Sequence, residues 1–445
     1  MRGTWQKSYN VNYMQFLKKI IVYILTIESR LIIKKYKPFI IAVTGSVGKT
    51  TTKDAIFSAL SSSGFVRKSE KSLNSEFGLP LTIIGVPTAW RSISGWITNI
   101  KQGALLILKR VDYPKILVLE IGADHPGDIK KVVAWLRPDI AVITKVGDTP
   151  VHVEFFKSPA QVFEEKSALA HAVKPGGTAV LFADEPKIIA LGEELKQKGI
   201  AVVTFGFDTN ATIQGSEYTP MYVENNGQKL PVGFSFKLLN TTVSIKKVIG
   251  QAFVYPILAA VAVGQSRGMQ IDEIIKNIAT YEASKGRMNI IAGIRGSTLI
   301  DDTYNSSPDA VYSALETLKG LECNGKKIVV LGDMMELGSY SVEEHRAIGK
   351  MIPAIATLLV TVGPRARAIG QEALACGMSS DNVSFYSSAI EAGEYLSTRV
   401  AQGDIILVKG SQSIRMERIT KALMADPSRA SELLVRQEKE WLEKK

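Results

Sequence analysis

The rhythm of apolar and polar positions along the chain predicts alternating strands and helices. Phe39, Ile40, Ile41, Ala42 and Val43 form a short unbroken apolar run, the pattern of a buried strand. It closes on Thr44-Gly45-Ser46-Val47-Gly48-Lys49-Thr50-Thr51 and leads into a helix-like stretch over residues 53–61. Further strand-like runs at 116–121, 140–144, 179–182 and 201–205 are separated by helical stretches. Such alternation predicts an α/β protein with a mostly parallel sheet covered by helices.

Between residues 212 and 249 the pattern changes to short polar and apolar alternations broken by turn residues, which predicts an antiparallel patch edging the main sheet. A helix pair follows at 253–263 and 271–281, after which strands return at 298–301, 327–331, 358–362 and 405–408. This predicts a second α/β domain with its boundary near residue 290. The charged tail after Ser428 reads as a solvated helix.

Composition adds two limits. A chain of 445 residues, 46% of them hydrophobic, buries a large core in two or three domains. Its two cysteines, Cys323 and Cys376, are far apart and in no metal-ligand spacing, which fits structural thiols in a reducing compartment such as the cytoplasm.

The net charge of +11 is unevenly spread. The first forty residues carry Arg2, Lys7, Lys18, Lys19, Arg30, Lys34, Lys35 and Lys37 against Glu28 alone, and the rest of the chain is close to balanced. Large aliphatics interleave with those cations and no nucleic-acid-binding module accompanies them, so no nucleic acid is expected as a partner. The longest uncharged run there, residues 20–27, is too short to span a bilayer, and no small-residue cleavage site follows it. Residues 14–37 and the basic amphipathic stretch 90–110 admit two readings, helices that cover each other or the sheet, and a peripheral membrane patch.

Candidate chemistry begins at the glycine loop. Gly45 and Gly48 permit a tight turn at a helix start, where the dipole favours anions. Lys49 can reach outer phosphates and Thr50 offers magnesium a hydroxyl, as in a P-loop, although the common spacing needs a glycine where Val43 stands. Glu120 ends a predicted strand, where ligands of open α/β sheets gather. Asp124 and His125 follow it.

Four segments in this order, Thr44 to Thr51, Leu119-Glu120-Ile121-Gly122-Ala123, Asp301-Asp302-Thr303-Tyr304-Asn305 and Leu331-Gly332-Asp333-Met334-Met335-Glu336-Leu337-Gly338, resemble the Mur ligase family. The last two look most like its MurF type, the UDP-N-acetylmuramoyl-tripeptide:D-alanyl-D-alanine ligases. The resemblance implies an ATP-dependent amide ligase of peptidoglycan synthesis, with a P-loop ATPase domain over 39–290 and a Rossmann-like C-terminal domain over 291–445, preceded by the basic segment 1–38. Its substrates would be a muramoyl-tripeptide and D-alanyl-D-alanine, and its cofactors ATP and Mg2+.

By the same resemblance, Gly45, Ser46, Val47, Gly48, Lys49, Thr50 and Thr51 would bind ATP, with Arg287 and Asp302. Thr50, Glu120, His152 and Lys166 would hold metal, Lys166 as a carbamate. Lys49, Lys166 and His152 would be catalytic. Asn74 and Ser75 would meet the acceptor peptide, and Asp333, Glu336, Lys409 and Ser411 the incoming amine. The chain departs from the family in three places. Gly250-Gln251-Ala252-Phe253 replaces the usual block before the long helix, Lys285-Gly286 precedes Arg287, and residues 1–38 are too few for the family's UDP-binding N-terminal domain. A folylpolyglutamate-type or cyanophycin-type ligase, a ligase with a non-UDP acceptor, and a non-catalytic scaffold are the competing readings.

Overall fold

The structure, a computed structural model, describes residues 2–70, 76–89, 92–147, 155–225, 227–279 and 281–443, with side chains from residue 18 onward. It divides into two compact units, 1–146 with 160–212 and 259–278, and 147–159 with 213–258 and 279–445.

In the first unit, helix α1 (Arg2–Tyr36) leads into β1 (Phe39–Thr44) and α2 (Lys49–Ala59). Then come β2 (Val66–Lys68), α3 (Gly78–Ile84), α4 (Ile93–Leu108), β3 (Ile116–Glu120), α5 (Asp128–Val133) and β4 (Ile140–Ile143). Helix α6 (Pro159–His171), β5 (Thr178–Phe182), α7 (Pro186–Gln197) and β6 (Ala201–Gly206) complete this alternation. The strands pair in parallel in the order β2-β3-β1-β4-β5-β6. Strands β1, β3 and β4 are almost wholly buried, as a sheet covered on both faces requires, and this is why they read as unbroken apolar runs.

In the second unit, β7 (Ile213–Asn225), β8 (Gln228–Leu238) and β9 (Thr241–Lys246) pair antiparallel, as their alternation predicts. Helix α8 (Val254–Ser266) passes from this unit back to the first, where α9 (Ile271–Ile278) packs on α2. The departure at Gly250 forms a short 3-10 turn over Gln251–Phe253, and the Gly250 amide donates to the Tyr218 hydroxyl at 3.0 Å.

The chain then builds a second sheet from β10 (Asn289–Ala292) and β11 (Thr298–Asp302). After α10 (Pro308–Gly320) come β12 (Lys327–Gly332), α11 (Ser341–Met351), β13 (Leu358–Val362), α12 (Arg367–Ala375) and β14 (Val383–Tyr386). The last elements are α13 (Ala389–Arg399), β15 (Ile405–Lys409), α14 (Glu417–Leu423), α15 (Ala430–Leu433) and α16 (Lys439–Leu442). The order is β10-β11-β15-β12-β13-β14, parallel except at β10. Leu299, Ile328, Val330, Val360, Ile406 and Val408 form its core with Leu396 and Ile419 from the helices.

Three short strands, β2, β10 and β14, escape a reading based on apolar runs because they are partly exposed sheet edges. The tail is also not the solvated helix its charge predicts. It breaks into two short helices, α15 and α16, joined by a non-helical stretch in which Leu434 and Arg436 are buried. Arg436 is held inside by the carbonyls of Thr303 and Tyr304 and by Glu417, partners that satisfy a guanidinium away from water. Both cysteines are free thiols. Among the described residues no helix is long and apolar enough to cross a membrane.

Candidate active site

The first unit brings together one end of its sheet. Register pairs Val43 with Glu120, so the glycine loop after β1 and the carboxylate ending β3 lie side by side, where open α/β sheets bind ligands. Gly45 adopts a positive φ, and a Cβ there would collide with the Thr144 hydroxyl beyond β4. That hydroxyl donates to the Val47 carbonyl at 2.7 Å and to that of Thr44 at 3.2 Å. The amides of Ser46 and Val47 donate to the Lys145 carbonyl. The loop is thus clamped from the β4 side. Gly48 caps α2 in the left-handed region, and α2 starts at Lys49. Its first-turn amides lie at the end of the helix that attracts anions.

Four side chains converge here. The Lys49 ammonium donates to the carbonyls of Gly45 (2.9 Å) and Ser46 (3.3 Å). The Thr50 hydroxyl donates to Glu120 Oε1 at 3.1 Å. Lys166, fully buried on α6, donates to the Gly45 carbonyl at 3.0 Å. Burial, with Lys49 nearby, brings its pKa down from 10.5 to about 7, against the opposing pull of Glu165 and Asp124. A buried amine that titrates near neutrality holds a substantial unprotonated fraction at physiological pH, the form that is nucleophilic.

Three residues that the motifs do not flag support this cluster. Lys53, one turn beyond Lys49, lies 3.6 Å from Glu120 Oε2, both side chains almost fully buried. Ser69 accepts the Glu120 amide at 3.2 Å. Glu165 accepts the amides of Gly127 and Ile129 at 2.8 and 2.6 Å, fixing the loop that holds Asp124 and His125. Helical spacing from Lys49, and adjacency to Lys166, are the signals that would have found Lys53 and Glu165.

His152, Asn74 and Ser75 lie outside the described residues.

The second unit gathers a different set. Asp302 and Lys409, neighbours in register on β11 and β15, form a buried ion pair of 2.7 Å, and Lys409 also donates to the Asn305 carbonyl. Burial holds the Lys409 ammonium below its ordinary value, with Asp302 opposing and Arg287 reinforcing the shift. The Arg287 guanidinium sits 4.3 Å from the centre of the Tyr304 ring. Gly286, at positive φ, lets the two segments approach, since a Cβ would press on the Tyr304 amide. Arg287, Asp302 and Lys409 therefore share one neighbourhood.

The Asp333 carboxylate accepts the amides of Arg365 and Ala366, which ties it to the turn after β13. Its carbonyl accepts the Ser411 amide, and the Ser411 hydroxyl accepts that of Met335. His345 fixes the same segment: Nε2 accepts the Met334 amide and Nδ1 meets the Ser341 carbonyl. Glu336 is exposed, with φ at 64°, a strained backbone for a residue with a Cβ.

Comparison with known proteins agrees with this architecture. Residues 43–264 match the Mur ligase middle domain, and residues 286–412 match the Mur ligase glutamate ligase domain. The chain belongs to the Mur ligase family.

Among curated Mur ligases, it is 28% identical over 389 residues to the UDP-N-acetylmuramoyl-tripeptide--D-alanyl-D-alanine ligase of Bacillus subtilis, covering 87% of this chain and 76% of that one. Identity to the Escherichia coli enzyme of the same name is 26%, over 86% and 76% of the two chains. Among solved structures, the MurF ligase of Thermotoga maritima in complex with ADP superposes with a TM-score of 0.71 at 26% identity, over 90% of this chain and 83% of that one. A Mur ligase fold thus accounts for the sheet-end cluster and for the second Rossmann-like sheet.

Proposed function

We propose that the chain is an ATP-dependent ligase of peptidoglycan precursor synthesis, joining D-alanyl-D-alanine to a UDP-N-acetylmuramoyl-tripeptide in the cytoplasm. The convergence of Lys49, Thr50, Glu120 and Lys166 on one clamped glycine loop carries this reading, together with relatives that bear that activity in their names. In this reading 39–290 is the ATP-binding domain and 291–445 the C-terminal domain. Residues 14–37 and 90–110 rest on the membrane.

The reaction needs a carboxylate and a triphosphate to meet, and both are anions. Lys49 and the positive end of α2 receive the phosphates and screen that repulsion. The acceptor carboxylate attacks the γ-phosphorus, ADP leaves, and an acyl phosphate forms. The dipeptide amine then attacks the acyl carbon, loses a proton, and inorganic phosphate departs. Much of the catalysis is positioning and charge stabilisation.

The Thr50 hydroxyl and the Glu120 carboxylate fit Mg2+, a hard cation that takes one or two protein oxygens and completes its shell with phosphates and water. When bound, the ion would neutralise charge on the phosphates. Among the described residues no group of three His, Cys, Asp or Glu side chains gathers for a metal. Lys166 in its unprotonated state takes up carbon dioxide to give a carbamate, an anionic oxygen ligand beside the loop. In this reading Arg287 and Asp302 are assigned to the nucleotide, His152 to the metal set, and Asn74 and Ser75 to the acceptor peptide. Asp333, Glu336, Lys409 and Ser411 line the dipeptide region.

Phosphate release from ATP with Mg2+, with each substrate alone and with both, tests this. Release that requires both, a product of pentapeptide mass, and a loss of roughly a thousandfold in Lys49→Ala are expected. ATP turnover without either substrate, or none with both, would reject the reading.

A further inference from the structure

Helices α1 and α4 run side by side in the same direction. Lys18 lies over the Phe77 ring, which meets Trp96 near the start of α4. Further along, the Glu28 carboxyl is covered by Gly103, where any Cβ would collide with it. At the far ends, Lys35 donates to the carbonyls of Leu106, Ile107 and Lys109, and Tyr36 to that of Leu106. Leu25, Ser29 and Ile32 on α1, and Asn99 and Leu106 on α4, are buried. The pair is therefore anchored to the body along one side.

The opposite side is apolar. On α1, Ile20, Tyr23, Ile27 and Leu31 recur at intervals of three and four and are exposed, Tyr23 by 67%. On α4, Ile93, Ile97, Leu105 and Leu108 are exposed, Leu108 by 82%, with Lys101 between Ile97 and Leu105. Helical periodicity puts each stripe away from the buried face of its own helix. Isolated exposed aliphatics are ordinary, but a stripe on each of two neighbouring helices is not.

Charge then identifies the occupant. Lys19, Arg30, Lys34, Lys37, Lys101, Lys109 and Arg110 are exposed along the same helices and the turn that follows each. Across residues 18–37 and 92–111 the sole acidic residue is Glu28, which is buried and whose pKa burial pushes up to about 7. A second copy of this face would bring the same cations together. An apolar stripe rimmed by lysine and arginine is instead complementary to a bilayer whose headgroups are anionic.

We propose that the outer face of the α1–α4 pair docks on an anionic lipid surface, the aliphatic stripes entering the headgroup boundary and the cations meeting lipid phosphates. This rests on the cytoplasmic reading above for which leaflet it meets, and it fixes the side chains that make the contact. The sheet end with Lys49 belongs to a separate part of the first unit and needs no lipid for chemistry.

Co-sedimentation of the full chain with phosphatidylcholine vesicles, with and without phosphatidylglycerol, tests the proposal. Binding is expected with phosphatidylglycerol only, falling as salt is raised. Ile97→Glu with Leu108→Glu, or Lys34→Glu with Lys101→Glu, should each weaken it by about tenfold or more. All four positions are exposed, so phosphate release without vesicles should be unchanged and reports an intact fold. Equal binding by wild type and variants, no binding to phosphatidylglycerol vesicles, or a concentration-dependent dimer abolished by Leu108→Glu would each overturn it. Vesicle binding in a chain that fails the two-substrate phosphate assay would leave this surface standing and reject the ligase reading alone.

Discussion

The Lys166 side-chain nitrogen donates to the Gly45 carbonyl at 3.0 Å, which ties α6 to the glycine loop after β1. An amine is held at the phosphate end of the sheet, in a place where its charged form is penalised.

That penalty has a sign that can be measured. The unfolded lysine titrates near its ordinary 10.5 and the folded one near 7. Between these values the unfolded chain holds a proton that the folded chain lacks, so stability rises with pH across this window and is flat below it. In carbon-dioxide-free buffer, Lys166→Met is expected to be more stable than wild type at neutral pH. Its advantage should shrink by up to about 1.4 kcal/mol per pH unit as pH is raised from 7 towards 10. Urea titrations of both proteins at several pH values check this, and a constant gap would contradict it.

A related outcome concerns the carbamate. With 13C-bicarbonate at pH 8, wild type should show a carbamate carbon resonance that Lys166→Arg lacks, because arginine stays protonated. Identical spectra would remove Lys166 from the metal set.

Lys53 and Glu120 form a buried pair in which neither charge reaches water. Removing one partner leaves the other with less compensation, Asp54 at 3.6 Å for Lys53 and the Thr50 hydroxyl for Glu120, so Glu120→Gln or Lys53→Met alone should cost up to about 3–5 kcal/mol. The double variant should cost clearly less than the sum, since both charges leave together. Chemical denaturation of the four proteins gives the coupling. Additive losses would mean that the pair is not coupled.

Gly45 is fixed by two demands at once, a positive φ and the close approach of Thr144. Gly45→Ala should distort the loop and weaken ATP binding by roughly tenfold or more, with a backbone cost of about 1–3 kcal/mol. Calorimetry with ATP and Mg2+ reads the first and thermal unfolding the second. Unchanged affinity would show that the loop tolerates the side chain.

Much of this was legible in the sequence because it is local. The run from Phe39 to Thr51 states strand, turn and helix start in consecutive residues, and Glu120 is found by its place at the end of a second such strand. The support of these groups is not local. Lys166 reaches Gly45 across 121 positions and Lys53 finds Glu120 only when β1 and β3 lie in register, so burial, which sets their chemistry, has no sequence signature. The stripes on α1 and α4 were visible as apolar residues, but which of them would be covered depended on the packing of one helix on the other.

The tail shows the same limit in the opposite direction. Its charges predict a solvated helix, yet Arg436 is buried and donates to Glu417 at 3.1 Å, while Arg415 meets the other oxygen of that carboxylate. The Thr303 and Tyr304 carbonyls complete the Arg436 shell, so the tail pins the segment that carries Asp302. Arg436→Ala leaves those carbonyls and half of Glu417 without their donors, at a cost of about 3 kcal/mol or more. Because Asp302 faces the nucleotide in the proposed site, the same variant should raise the KM for ATP several-fold while leaving kcat less affected. Urea unfolding and steady-state kinetics separate the two effects, and a variant with wild-type stability and KM would show that the tail is dispensable.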